Sequence, residues 1–342
     1  MYPASTGTRT AVHQQGDRMS STGLVDVHAH FVTDGYIAAA RAAGIDHPDG
    51  MPGWPDWSVE RQLDLMERTG ITKAVLSVSS PGVHFGDDQA ARALAREVNT
   101  FGAHVRATHP DRFGHFASLP LPDVDGALAE AAYALDELGA DGVAVETNHH
   151  GRYLGDASFA PLWAELDRRR AIVFVHPTSP PHADDVSLGR PRPMLEFLFD
   201  TARAASDLLL SGVLARHPDI RWILTHGGGA LPLLADRIEL FRPLLGGAAI
   251  GGAATDGPST VEQLGRLWYD MAGTPFPRQV PALDAAFGTE RLLYGSDYCW
   301  TPAEAVLAQV DSVDKAVRPA GGETWRDLTT RNADRLFTPP AS

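Results

Sequence analysis

From Gly23 onward, short apolar runs rich in β-branched and aromatic residues alternate with longer stretches in which apolar positions recur every three or four residues. Eight such runs can be traced: Leu24–His28, Ala74–Val78, Phe113–Leu119, Gly142–Thr147, Ile172–His176, Ile220–His226, Leu267–Met271 and Arg291–Asp297. Most are apolar along nearly their whole length, the pattern of parallel strands covered on both faces. The stretches between them read as helices. Ser58–Thr69 opens on an N-cap serine, carries Val59, Leu63 and Met66 on one stripe and stops at Gly70. Asp125–Leu138, Ser158–Arg169, Met194–Arg216, Leu231–Phe241 and Pro302–Val317 follow the same logic. Strand–helix alternation of this kind predicts an α/β fold, either a closed barrel or a doubly wound open sheet. Residues 1–22 are polar and read as a flexible N-terminal tail, so the folded domain is expected over 23–342.

The placement of polar residues favours the barrel. His28-Ala29-His30 closes the first run, His176 the fifth, His226 the sixth and Asp297 the eighth. Only a closed sheet brings those four ends around one mouth, so the expected architecture is a single-domain (β/α)8 TIM barrel. Residues i and i+2 of an extended strand share a face, so His28 and His30 can reach one ion together. Fourteen histidines make an isolated H-x-H a weak signal, with roughly half a match per chain expected by chance, and the preceding strand supplies the context. Three imidazoles with a carboxylate, or two with a carboxylate and water, suit one divalent ion such as Zn²⁺, with Mn²⁺ also possible. A two-metal site would need a bridging carboxylate or modified lysine near the end of the fourth run. Glu146-Thr147-Asn148-His149-His150 has no lysine there, so a mononuclear site is the simpler expectation.

Composition narrows the partners. The chain has 342 residues, 44% hydrophobic and 21% charged, with no stretch approaching a membrane span. A net charge of −14 argues against nucleic acid or an anionic membrane and leaves a small-molecule substrate. One cysteine, Cys299, cannot form an internal bridge, which fits the cytoplasm. Between the first strand and the Ser58 helix lies a Pro/Gly-rich loop with Trp54 and Trp57, which could wall a pocket for a planar substrate or hold the loop to the barrel flank. His84, after the second run, could line the mouth, and Asn148 is a further candidate substrate contact. Gly246–Ala254 reads as a surface loop.

The motifs VDVHAHF, FVHPT, LTHGGGALP and LLYGSDY, in that order, resemble the amidohydrolase superfamily. More narrowly they look like its metal-dependent decarboxylase branch, typified by aminocarboxymuconate-semialdehyde decarboxylase, and NHHGRYLGDASFAPLWAEL looks most similar to 6-methylsalicylate decarboxylase-type proteins. The resemblance implies metal ligation by His28, His30, His176 and Asp297, with His226 catalytic beside the metal. It also implies a homodimer and an arginine gripping the substrate carboxylate, for which Arg237 has the family's spacing, whereas Arg242 is out of register with the neighbouring-subunit arginine of some relatives. The expected reaction is non-oxidative decarboxylation of a hydroxybenzoate-like or dienoic acid, with Asp297 as proton donor. The alternatives are hydrolysis of a lactone, amide or ester at the same site, and a non-catalytic barrel.

Overall fold

In the computed structural model, which describes residues 23–249 and 258–338, eight parallel strands form one sheet in sequence order. They are β1 (Leu24–His30), β2 (Ile71–Ser77), β3 (Phe113–Ser118), β4 (Gly142–Glu146), β5 (Ile172–His176), β6 (Arg221–Leu224), β7 (Trp268–Asp270) and β8 (Leu292–Leu293). Parallel bridges from Asp26 to Tyr294 and from Ala29 to Tyr298 join the last strand back to the first, so the sheet closes into the (β/α)8 barrel that the alternation predicts. The expected tail, 1–22, lies outside the described residues.

Two apolar layers hold the barrel. The interior cluster takes at least one residue from every strand: Val27, Val75, Phe116, Ala144, Ile172 with Phe174, Ile223, Trp268 and Leu293. Ala333 and Leu336, on the last helix, Trp325–Phe337, join the same cluster. Burial of this cluster, like that of the larger one between strands and helices, stabilises the closed sheet by removing branched and aromatic side chains from water.

The helices depart from expectation in informative places. The stretch predicted over Met194–Arg216 divides into Glu196–Leu210 and Val213–Arg216, because Gly212 takes φ 77 and breaks the hydrogen-bond ladder. The helix expected to end at Phe241 continues to Ala249, absorbing the first residues of the predicted Gly246–Ala254 loop, whose 250–254 portion is outside the described residues. A 21-residue helix, Asp88–Thr108, covers β3. Its buried stripe is built of small groups (Ala91, Ala95 and Gly102 among Leu94, Val98 and Val105), so hydrophobic periodicity announces it only faintly.

Candidate metal centre

The strand ends converge. The candidate ligand atoms of His28, His30, His176 and Asp297 all lie within 4.8 Å of one another. His28 and His30 meet edge to face at 4.8 Å between ring centroids, and His176 lies 5.3 Å from the first and 4.8 Å from the second. Phe174, fully buried, forms the floor, its ring 5.1 Å from that of His28.

A defect in β1 sets this up. Val25 and Val27 pack against the interior cluster, yet His28 and His30 also reach the interior, so the in–out alternation changes parity between Val27 and His28. The β1–β2 register shift between Asp26 and Ala29 makes that change possible. An interrupted ladder leaves buried N–H groups in need of acceptors. Asp26 supplies one: its Oδ1 accepts from the backbone of His28 and of Ser296, both at 3.0 Å. Burial pushes the Asp26 carboxyl up to about 6, against the pull of those bonds.

Each imidazole is oriented by its outer nitrogen. His28 Nδ1 donates to Asp270 Oδ2 at 2.8 Å, His30 Nδ1 faces Ser77 Oγ at 3.0 Å, and His176 Nδ1 donates to the carbonyl of Pro177 at 2.7 Å. With the proton on Nδ1, the Nε2 lone pair turns inward. The Nε2 atoms of His28 and His30 are buried and have no hydrogen-bond partner in the protein. Orphaned inward-facing acceptors around a carboxylate fit a cation, so this donor set suits one divalent ion.

The field agrees. Burial lowers the pKa of His30 and, further, that of His176, which keeps both imidazoles neutral as ligation needs. At Asp297 burial works upward, but the close imidazoles of His226, His30 and His28 outweigh it and hold the carboxylate well below its usual range; at His28 burial works downward, but Asp270 and Asp297 outweigh it and raise the pKa. Asp297 adopts φ 58 and donates its backbone N–H to the carbonyl of His28 at 2.7 Å, which ties the eighth strand end to the first. His226 stands beside the cluster, its Nε2 3.5 Å from Asp297 Oδ2 and its backbone also left-handed at φ 54.

His176, His226 and Asp297 open into a cavity of about 910 Å³ walled by Met51, Met194, Phe197, Phe276 and Trp300 among others. None of the five expected substrate contacts lines it. Trp57 packs on Phe31 and Phe101, and Trp54 on Tyr36 and Trp300, so the loop reaches the cavity through Met51 while its two indoles pack behind the wall, and Trp300 is the indole that lines it. Asn148 and His84 line a neighbouring cavity of about 480 Å³ with Glu146, His149 and His150. Arg237 is exposed, its guanidinium over Phe241, and Arg242 is a buried clamp on Glu239 and Thr260. The Lys/Arg side chain that does line the metal cavity is Arg278, exposed and without an ion-pair partner among the described residues. Sequence reasoning missed it, along with Asp270, because neither lies at a motif position.

A family model described as Amidohydrolase matches residues 25–338. The chain belongs to this family. Among relatives of this amidohydrolase, the 6-methylsalicylic acid decarboxylase of Penicillium expansum is 37% identical over 320 residues, covering 92% of this chain and 95% of that protein. A solved structure titled as an amidohydrolase II superposes with a TM-score of 0.83 at 30% identity, over 92% of this chain and 99% of that one. A dihydroxybenzoic acid decarboxylase from Polaromonas sp., solved with manganese and 2-nitroresorcinol, superposes with a TM-score of 0.76 at 23% identity, over 92% and 97%. The neighbour shares the barrel fold, and in this chain His28, His30, His176 and Asp297 form a cluster that could hold a divalent ion.

Proposed function

We propose that the protein is a metal-dependent carboxy-lyase that removes carbon dioxide from a small aromatic acid of the hydroxybenzoate class. The observation that carries this is the convergence of His28, His30, His176 and Asp297 within 4.8 Å, with His226 against Asp297 at the end of a largely apolar cavity roomy enough for an aromatic acid. We assign zinc as the resident ion, from the imidazole-rich donors, with manganese as the alternative. His28, His30, His176 and Asp297 would hold the ion, which when bound would supply Lewis-acid polarisation of the acid's oxygens.

The chain's own groups then handle the proton. The ring carbon bearing the carboxylate must gain a proton before the carbon–carbon bond breaks. Protonated His226 passes a proton from Nε2 to Oδ2 of the Asp297 carboxylate, Asp297 hands it to the ring carbon, the electron pair of the carbon–carbon bond returns to the ring, and carbon dioxide leaves. His226 Nε2, 3.5 Å from the same oxygen, reloads Asp297 and stabilises charge during the transfer. Phe197, Phe276 and Trp300 offer faces to a planar ring, and Arg278 at the mouth attracts the anion into a chain whose net charge is −14.

We also propose a homodimer in a reducing cytoplasm. Its support is the exposed apolar side chains Leu188, Phe199, Leu233 and Leu240, of which Leu233 lines the cavity, and a single, buried, unpaired Cys299. Light scattering tests the dimer. No helix among the described residues is long and apolar enough to cross a membrane.

The activity test is direct. Protein loaded with zinc or manganese and offered hydroxybenzoates should release carbon dioxide and the matching phenol, and His226→Gln should lose on the order of 10² to 10⁴ in kcat. Ring opening of lactones without carbon dioxide release from any acid refutes the proposal.

A further inference from the structure

Asp270, the last residue of β7, is fully buried, and every contact of its carboxylate is with a donor that matters to the centre. Oδ2 accepts from His28 Nδ1 at 2.8 Å; Oδ1 accepts from the backbone N–H of His226 at 2.8 Å and of Ala272 at 3.0 Å. We infer that Asp270 is a positioning residue that couples the metal ligand His28 to the acid–base residue His226 through one carboxylate. The inference rests on the metal-site reading above.

Three observations give the coupling its content. A carboxylate facing His28 Nδ1 must receive a proton from it, which fixes the tautomer whose Nε2 lone pair points at Asp297 and the other ligands. At the other oxygen, the anchored N–H belongs to a residue at φ 54, followed by Gly227, Gly228 and Gly229 at φ 63, 72 and 61. Two turn bonds, from Gly228 N–H to the Thr225 carbonyl and from Gly229 N–H to the His226 carbonyl, hold the run to itself, and the bond to Asp270 ties the His226 N–H, and with it the start of the ring, to β7. Finally, the eighth-strand backbone closes over the pair: a Cβ on Gly295 would lie 2.7 Å from His28 Cβ and 3.2 Å from Asp270 Cγ. A larger residue at 295 would therefore press on both partners of the Asp270–His28 pair.

Asp270→Asn tests this with little change of shape. Three donors face the carboxylate, so the amide NH₂ meets a donor whichever way it turns. Facing His226 and Ala272 it releases the His226 backbone; facing His28 it forces the proton to Nε2 and removes the ligand's lone pair. The zinc or manganese affinity, measured by competition with a chromophoric chelator, should fall about ten- to a hundredfold. That affinity loss belongs to the orientation facing His28; in the other orientation affinity holds and kcat at saturating metal falls with KM unchanged, because the His226 anchor is lost.

A generally loosened barrel would lose affinity equally whether or not His28 is present. The coupling requires that Asp270→Asn cost little further affinity in a His28→Ala background. Equal affinity losses in both backgrounds, or wild-type affinity together with wild-type kcat in Asp270→Asn, overturn the inference while leaving the metal site standing. A wild type that takes up no divalent ion overturns both. If Asp270→Asn does not fold, ¹⁵N-histidine NMR of the zinc-loaded wild type decides: a hydrogen-bonded Nδ1–H on His28 supports the coupling, and an Nε2–H form overturns it.

Discussion

Below neutral pH the protein should lose stability through one histidine remote from the metal centre, and the loss can be measured as a difference in slope. His115, on β3, is 1% exposed, and both its ring nitrogens lack hydrogen-bond partners. Its ring is pressed against the Asp88–Thr108 helix, where a Cβ on Gly102 would stand 3.2 Å from His115 Cδ2. Burial pulls its pKa from 6.5 down to about 4. The unfolded chain therefore takes up a proton near 6.5 that the folded chain refuses until about 4, and stability that is full above 6.5 declines as pH falls between those values. The full extent of that loss is about 3 kcal/mol, with about 2 kcal/mol already gone at about pH 5. Replacing His115 with leucine removes the titration and keeps an apolar group of similar size. Whatever packing cost or gain the substitution brings is independent of pH, and so is cancelled when the two proteins are compared at two pH values. Urea unfolding of wild type and His115→Leu at about pH 7.5 and about pH 5 should show the variant's relative stability rising by about 2 kcal/mol at the lower pH. Acid release of the metal occurs in both proteins and drops out of the same difference. Parallel pH profiles would refute the reasoning.

Other consequences follow from the site. Arg278→Ala should raise KM for an aromatic acid by about tenfold with kcat nearly unchanged, and the gap should shrink with added salt, since an exposed cation acts by screened attraction; a kcat loss instead would place Arg278 in the chemistry. Phe174→Ala removes the ring under His28 and should cost about 3–5 kcal/mol of stability in thermal or urea unfolding; a loss under about 1 kcal/mol would mean the barrel floor collapses to refill the space. Stripping the ion with a chelator should abolish activity and lower the unfolding midpoint. Restoring free metal to about a thousand times its Kd should return about 4 kcal/mol. An unfolding midpoint indifferent to metal would count against a site formed only in the folded state.

What could be read in advance was whatever local sequence determines. An apolar run ended by a histidine reports both a parallel strand and the end from which its side chain is launched, and eight such runs leave a closed sheet as the way to gather those ends. The convergence of His28, His30, His176 and Asp297 follows from that topology. Contacts made across the barrel carry no comparable local signal. Asp270 meets His28 from 242 positions away and Ser296 meets Asp26 from 270 away, and nothing around either acidic residue marks it as a partner of the first strand. The substrate wall was harder for a different reason. Trp54 and Trp57 sit in a loop whose course depends on whether indoles find better partners at the mouth or on the flank. Trp57 is taken up by Phe31 and Phe101 and Trp54 by Tyr36 and Trp300, so neither indole lines the cavity. The cation at the cavity followed the same rule. Arg237 has the spacing of a motif but projects from an exposed helix face, whereas Arg278 belongs to a proline-rich turn after β7 with no motif at all. Chemistry launched from strand ends is therefore specified by short-range pattern, while the walls and braces around it are chosen by packing between distant segments. The braces are where substitutions at unremarked positions such as Asp270 should alter metal affinity and turnover without touching a ligand.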